Sequence, residues 1–118
     1  MSIAIKRVYE PPASQDGYRV LVDRLWPRGL SKDRIKIDEW LKEVAPSDWL
    51  RKSFHSGGLS WDDFERSYLL ELEIHRDILK PLTDRSRKEQ ITLLFSSKNE
   101  EKNNASVLKH YLMKLKSR

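Results

Sequence analysis

The chain has no cysteine. That removes disulfides, thiolate nucleophiles and cysteine metal sites at a stroke, while leaving the compartment open. No apolar run approaches the roughly 20 residues needed to span a bilayer. The opening stretch, MSIAIKRVYE, lacks the apolar centre of a secretory signal. Internal repeats and low-complexity tracts are also missing, as are a Ser-His-Asp order and a nucleophile elbow. The histidines, His55, His75 and His110, show no metal-ligand spacing. The expectation is a soluble cytoplasmic protein with no metal, no other cofactor and no membrane span.

What is present suits one small domain spanning residues 1–118. Apolar residues make up 38% and charged residues 35%, and eleven aromatics argue against disorder. The net charge is +5, with a pI near 9.5. A basic balance raises the question of a nucleic-acid partner. The two halves are nearly alike, however: residues 1–59 carry 11 basic and 8 acidic groups, and residues 60–118 carry 12 and 10. The one biased segment is the ending KHYLMKLKSR, with four basic groups besides His110 and no acid. Its plainest reading is a solvated helix end, where the helix dipole favours cations.

Ile3, Ile5 and Val8-Tyr9 predict a first strand over residues 2–8. A Pro- and Gly-containing loop follows, and Tyr18 to Asp23 reads as a second strand. Residues 24–34 read as a charged connection. A short helix is expected from Asp38 to Ala45, stopped by Pro46, and Ser47 is placed to cap another. Ser60 caps the longest predicted helix, whose stripe runs Trp61, Phe64, Tyr68, Leu72, His75 and Leu79 until Pro81 ends or kinks it. ITLLFS, residues 91–96, reads as a third strand covered on both faces. Asn103 or Asn104 then caps a last helix. The expected fold is α/β: a small three-layer sandwich with a mostly parallel central sheet and flanking helices.

In such sheets ligands bind beyond the carboxyl ends of the strands. Strand two opens onto DRLWPRG and strand three onto Ser96-Ser97-Lys98, and parallel pairing puts both on one edge. That edge would gather Arg24, Arg28 and Lys98 around Asp23, with Ser96 beside them. Arginine forks match carboxylates and phosphates. Trp26 offers a face for stacking a ring, and free N–H groups near Asn103 add partial positive charge. The candidate ligand-binding residues are therefore Asp23, Arg24, Trp26, Arg28, Ser96, Lys98 and Asn103. A plainer alternative is that Asp23 and Arg24 pair with neighbours and Trp26 plugs the sheet edge. Lone histidines and helically spaced aromatics elsewhere read as structural.

KRVYEPP, DGYRVLVDRLWPRGLSK, DEWLKEVAPS, LRKSFH and TLLFSSKNEEKNNASVL occur in that order. Together they resemble the YeaO-like proteins, a bacterial and archaeal family of unknown function, over residues 4–113. The resemblance implies a compact α/β cytoplasmic domain and brings no activity with it. It marks Arg51, His55, Tyr68 and Glu71 as motif positions. We place these behind the candidate ligand residues, with Glu71 expected to pair with Arg24 or Arg28. One departure stands out: relatives usually read Asn-His-Ala where this chain has Asn103-Asn104-Ala105, and more distant ones carry a Cys-His pair there. Any chemistry needing a base at position 104 is thereby in doubt.

Three functions compete at this stage. One is a site for an anionic, nucleotide-like or phosphorylated small ligand, with binding favoured over proton transfer because arginines beside Asp23 would make it a poor base. The second is a nucleic-acid-binding or regulatory module, without a helix-turn-helix signature in its support. The third is a ligand-free protein-interaction domain.

Overall fold

The computed structural model describes residues 2–116, so the end of the basic tail lies outside the described residues. Four strands form one parallel sheet: β1 (Ile3–Arg7), β2 (Tyr18–Leu21), β3 (Glu39–Trp40) and β4 (Ile91–Phe95), in the order β1-β4-β2-β3. The helices are α1 (Lys32–Ile35), α2 (Asp48–His55), α3 (Trp61–Ile74), α4 (Arg76–Ser86) and α5 (Asn104–Lys116). The expected α/β class holds, with every strand pair parallel. No helix among the described residues is long and apolar enough to cross a membrane.

β4 is central, and all five of its residues are buried, Thr92 with its hydroxyl donating to the Asp16 carbonyl. Ile91 lies opposite both Ile3 of β1 and Tyr18 of β2, so these three strands start and end in step. Because side chains alternate across a strand, Val20, Val22, Leu93 and Phe95 enter the large core. Phe64, Tyr68 and Leu72 of α3 and Leu108 and Leu112 of α5 cover that face. Leu21 and Leu94 point the other way, into a smaller core with Val8, Ile35, Trp26 and Trp40. This second face is closed by the single turn of α1 and by loops.

Gly17 sets the start of β2. Its φ is +66°, and a Cβ there would lie 2.2 Å from the Gln90 carbonyl. Only glycine lets Tyr18 N–H reach that carbonyl, at 2.9 Å, and begin the β2–β4 ladder. On the second face Arg19 is buried, yet fully partnered. It binds Asp16 and the Ile35 and Lys36 carbonyls, and Lys6 adds a second cation to Asp16. Burial disfavours the Asp16 carboxylate, but the Ala13 N–H, Lys6 and Arg19 outweigh it, so its pKa is lowered.

Three expectations are corrected. The helix expected over Asp38–Ala45 is absent: Glu39-Trp40 pairs with β2 as a fourth strand, and Lys42–Val44 form one 3₁₀ turn. The local Asp-Glu signal loses to the ladder, in which Asp38 N–H reaches the Arg19 carbonyl and Leu41 N–H the Leu21 carbonyl. Second, the connection over 24–34 contains the turn of α1, capped by Ser31. Third, Pro81 does not end the long helix. The break comes at His75, whose carbonyl accepts from Ile78 and Leu79 as α4 starts afresh. Pro81 then lies about one and a half turns into α4, exposed, where it costs one bond of the helical ladder. The caps foreseen at Ser47 and Ser60 are present, accepting from Leu50 and Asp63 N–H.

Candidate functional site

Because β2 and β4 end side by side, both release their chains onto one rim, and Asp23 ties that rim together. Its Oδ2 accepts from the Ser96 N–H at 2.9 Å and the Ser96 hydroxyl at 2.7 Å. Its Oδ1 accepts from Asn104 Nδ2 at 2.9 Å, and the same amide donates to the Val22 carbonyl at 3.1 Å. The Asp23 carbonyl accepts from the Trp40 indole at 2.7 Å. From the other side Arg7 donates to the Ser96 and Ser97 carbonyls. One carboxylate thus fastens β2 to β4 and to the first residue of α5, while backbone bonds bring in β1 and β3.

Arg24 turns towards the start of α2. Its guanidinium donates to the Pro46 and Ala45 carbonyls at 3.2 and 3.4 Å and lies 3.7 Å from Asp48. Arg51 approaches the same Asp48 carboxylate at 3.5 Å, while its Nε is buried without a hydrogen-bond partner. Tyr68 is fully buried below and donates to the Val44 carbonyl at 2.6 Å. Burial first, then the charges of Asp23 and Glu71, hold its phenol well above the ordinary tyrosine pKa.

Glu71 corrects the expected pairing with Arg24 or Arg28. Its two oxygens accept from Ser47 N–H at 2.9 Å and Ser47 Oγ at 2.6 Å, anchoring the residue that caps α2. His55 ends α2, exposed, with its ring against Phe54. Asn103, not Asn104, is the N-cap of α5: its Oδ1 accepts from Ser106 N–H and its Nδ2 donates to the Asn99 carbonyl. Trp26 packs edge-on against Trp40, centroids 5.3 Å apart, and donates its indole N–H to Leu30. Arg28 and Lys98 are exposed, and their side chains make no hydrogen bond or ion pair among the described residues.

The structure therefore joins Asp23 to Ser96, turns Arg24 towards the start of α2, buries Tyr68 beneath, and leaves Arg28 and Lys98 exposed without a side-chain partner among the described residues. Residues that do most to build the rim escaped the sequence reading. Trp40 was assigned to a helix. Asn104 was noted only as a departure and an alternative cap. Arg7 and Ser47 carry no local signal beyond strand and cap positions. Each Asp23 oxygen already accepts a hydrogen bond, so the carboxylate is engaged as an acceptor before any substrate arrives. Among the described residues no group of three or more histidine or acidic side chains is disposed to hold a metal ion.

Two open clefts lie elsewhere. One, of about 100 Å³, runs between β3 and α4, lined by Glu39, Leu41, Ile78, Pro81, Leu82 and Arg85. The other, wider and about 370 Å³, lies over Pro81, Asp84, Arg85, Lys88 and Glu89.

A family model described as the inactive DUF488-N3 subclade matches residues 2–118. The uncharacterized protein YeaO of Escherichia coli strain K12 is 48% identical over 115 residues, covering 98% of this chain and all of that protein. The uncharacterized protein Rv3073c of Mycobacterium tuberculosis strain H37Rv is 37% identical over 112 residues, covering 93% of this chain and 92% of its own length. No solved structure matches.

Proposed function

For a chain that belongs to the inactive DUF488-N3 subclade, we propose a binding role without turnover: recognition of a small anionic, nucleotide-like or phosphorylated ligand at the carboxyl-end rim of the sheet. The observation that carries this reading is the state of Asp23. It is the acid at the meeting point of the strand ends, and its oxygens are occupied by Ser96 and Asn104. Position 104 holds an amide that donates to Asp23 and cannot serve as a base. The word inactive in the family description agrees with this. Binding capacity is of a different kind: among the described residues Arg28 and Lys98 have no side-chain partner, and the Arg24–Asp48–Arg51 cluster extends the cationic side of the rim.

A thermal-shift titration with inorganic phosphate, nucleoside phosphates and sugar phosphates tests it. A ligand at a hundred times its dissociation constant stabilises the folded state by about 2.7 kcal/mol. That shift should vanish in Arg28→Ala/Lys98→Ala, whose side chains support nothing else. Arg24 is the poorer variant because it also holds the Ala45 and Pro46 carbonyls. No shift with any of these compounds, or a shift unchanged in the double variant, overturns the proposal.

A second reading, a protein-docking rim, draws on Leu25 and Trp49. They are 62% and 66% exposed and adjoin the two partners of the Arg24–Asp48 pair.

A further inference from the structure

The net charge is spread evenly along the chain but not over the fold. Helices α4 and α5 pack together, and their carboxyl ends are tied: Arg87 Nη2 donates to the Lys116 carbonyl at 2.6 Å, and Lys116 Nζ to the Ser86 carbonyl at 3.5 Å. This junction sits at the amino-terminal end of the sheet, since β4 begins five residues after Ser86. It is the end opposite Asp23. Leu79, Leu82, Thr83 and Ser86 are the buried side of α4. Lys80 and Asp84 lie four apart on its exposed side, and the exposed Arg87 and Lys88 follow in the turn just past its end. On α5 the last three turns add Lys109, Lys114 and Lys116, with no acid anywhere in the helix.

Residues 80–89 and 105–116 together hold seven basic and two acidic side chains, a net +5. That equals the net charge of the entire chain, so all other residues cancel. Both acids of the patch are already engaged, Asp84 with Arg87 and Glu89 with Arg85, each at 2.9 Å. Lys80 and Lys88 are exposed and have no ion pair among the described residues. The ordinary role of such cations is to offset helix dipoles. Two helix carboxyl ends carry about one negative charge between them, which accounts for about one of the five. The wider cleft over Asp84, Arg85 and Lys88 lies within this patch.

We propose that this face docks the phosphate backbone of a nucleic acid without regard to sequence. A membrane surface fits less well. Anchoring there calls for apolar side chains among the cations, and α4 and α5 expose only Ile78 and Met113 as large apolar residues. A phosphate backbone needs only distributed cations, which release its counterions. The site is separate from the rim around Asp23 and does not rest on the reading given for it.

The test is fluorescence anisotropy with a short duplex and a short single strand of arbitrary sequence. Engagement of about four phosphates gives a log–log salt slope of about −3.6 for the duplex, so affinity drops about a hundredfold between about 50 and 200 mM salt. Lys80→Gln/Lys88→Gln should make that slope shallower by about two. Its far-ultraviolet circular dichroism and melting temperature should stay at the wild-type values, because both residues are exposed and unpaired. Arg28→Gln/Lys98→Gln, at the other end of the sheet, should leave the slope unchanged. Four results overturn the proposal: no binding at the lower salt, a slope untouched by Lys80→Gln/Lys88→Gln, loss of binding in Arg28→Gln/Lys98→Gln, or retention on phosphatidylserine vesicles without binding to either oligonucleotide.

Discussion

Replacing Asp23 tests the clasp at the strand ends most directly. Asp23→Ala removes three hydrogen bonds to a carboxylate, from Ser96 N–H, Ser96 Oγ and Asn104 Nδ2. Bonds to charged groups contribute about 1.5–3 kcal/mol each when deleted singly, but members of one network do not add. The site is also only partly buried, so water can reach the freed donors. The expected loss is about 2–4 kcal/mol. For a chain of this length that is about 10 °C in melting temperature, or a drop of about 1–2 M in the urea midpoint at unchanged slope. Asp23→Asn should cost less, about 1–2 kcal/mol. Its best arrangement points the new amide at Asn104, which must then turn its oxygen inwards and give up the Val22 carbonyl. Urea unfolding followed by circular dichroism reads both variants. If either lies within 0.5 kcal/mol of wild type, or if asparagine costs more than alanine, the carboxylate is not the fastener described above.

Three further outcomes follow from the same geometry. Asn104→Asp sets a second carboxylate against Asp23 Oδ1, so one proton is held more tightly in the folded pair than in the unfolded chain. Stability should be lost as pH rises through that raised value, and the deficit against wild type should shrink between about pH 7 and pH 4.5; a constant deficit refutes this. Tyr68→Phe leaves the buried Val44 carbonyl without its donor, at about 1–3 kcal/mol. Because the folded phenol ionises later than the unfolded one, wild-type stability should fall as pH rises above 10, and this fall should be reduced in the variant. Asp16 has the opposite sign. Its contribution is present above its ordinary pKa of 3.8 and is lost as pH falls through the lower folded value. Asp16→Asn should therefore cost about 3 kcal/mol at neutral pH, by breaking a buried pair with Arg19. Most of that difference should disappear on acid titration monitored by tryptophan fluorescence.

What the sequence made legible was what short-range chemistry controls. The largely apolar run of β4 reads as a strand covered on both faces, and Ser47 and Ser60 each bind an N–H three residues on. Pairing the strands read over Tyr18 to Asp23 and over residues 91–96 in parallel places Asp23 and Ser96 on one edge before any coordinate is known. Long-range bonds decided the rest. Asp38-Glu39 looks like a helix start, but sheet hydrogen bonds to the Arg19 and Leu21 carbonyls compete for that backbone. The destination of Glu71 was equally hidden: opposite charge suggested an arginine, and the open donors at the start of α2 took the carboxylate. Nothing in the linear spacing distinguishes a guanidinium partner from an N-terminal serine.

The stretch VLVDRLWPRG can now be read residue by residue as a strand end that must be fastened. Val22 and Leu21 divide between the two cores, so the chain leaves the sheet with apolar material on both sides. Asp23 then satisfies the donors where β4 and α5 meet, and Arg24 satisfies carbonyls ahead of α2. Trp26 closes the second core against Trp40, and Gly29, at φ +78°, turns the chain back towards α1. Every residue so far serves architecture. Among the described residues, Arg28 alone in the stretch carries a charge that no hydrogen bond or ion pair uses, and Lys98 is its counterpart beyond β4. On the reading proposed above, the outer cations, which have no partner among the described residues, would hold the anion, while the Asp23 carboxylate is committed to Ser96 and Asn104. The bonds that make the fold secure are thus the same bonds that occupy the acid of the rim.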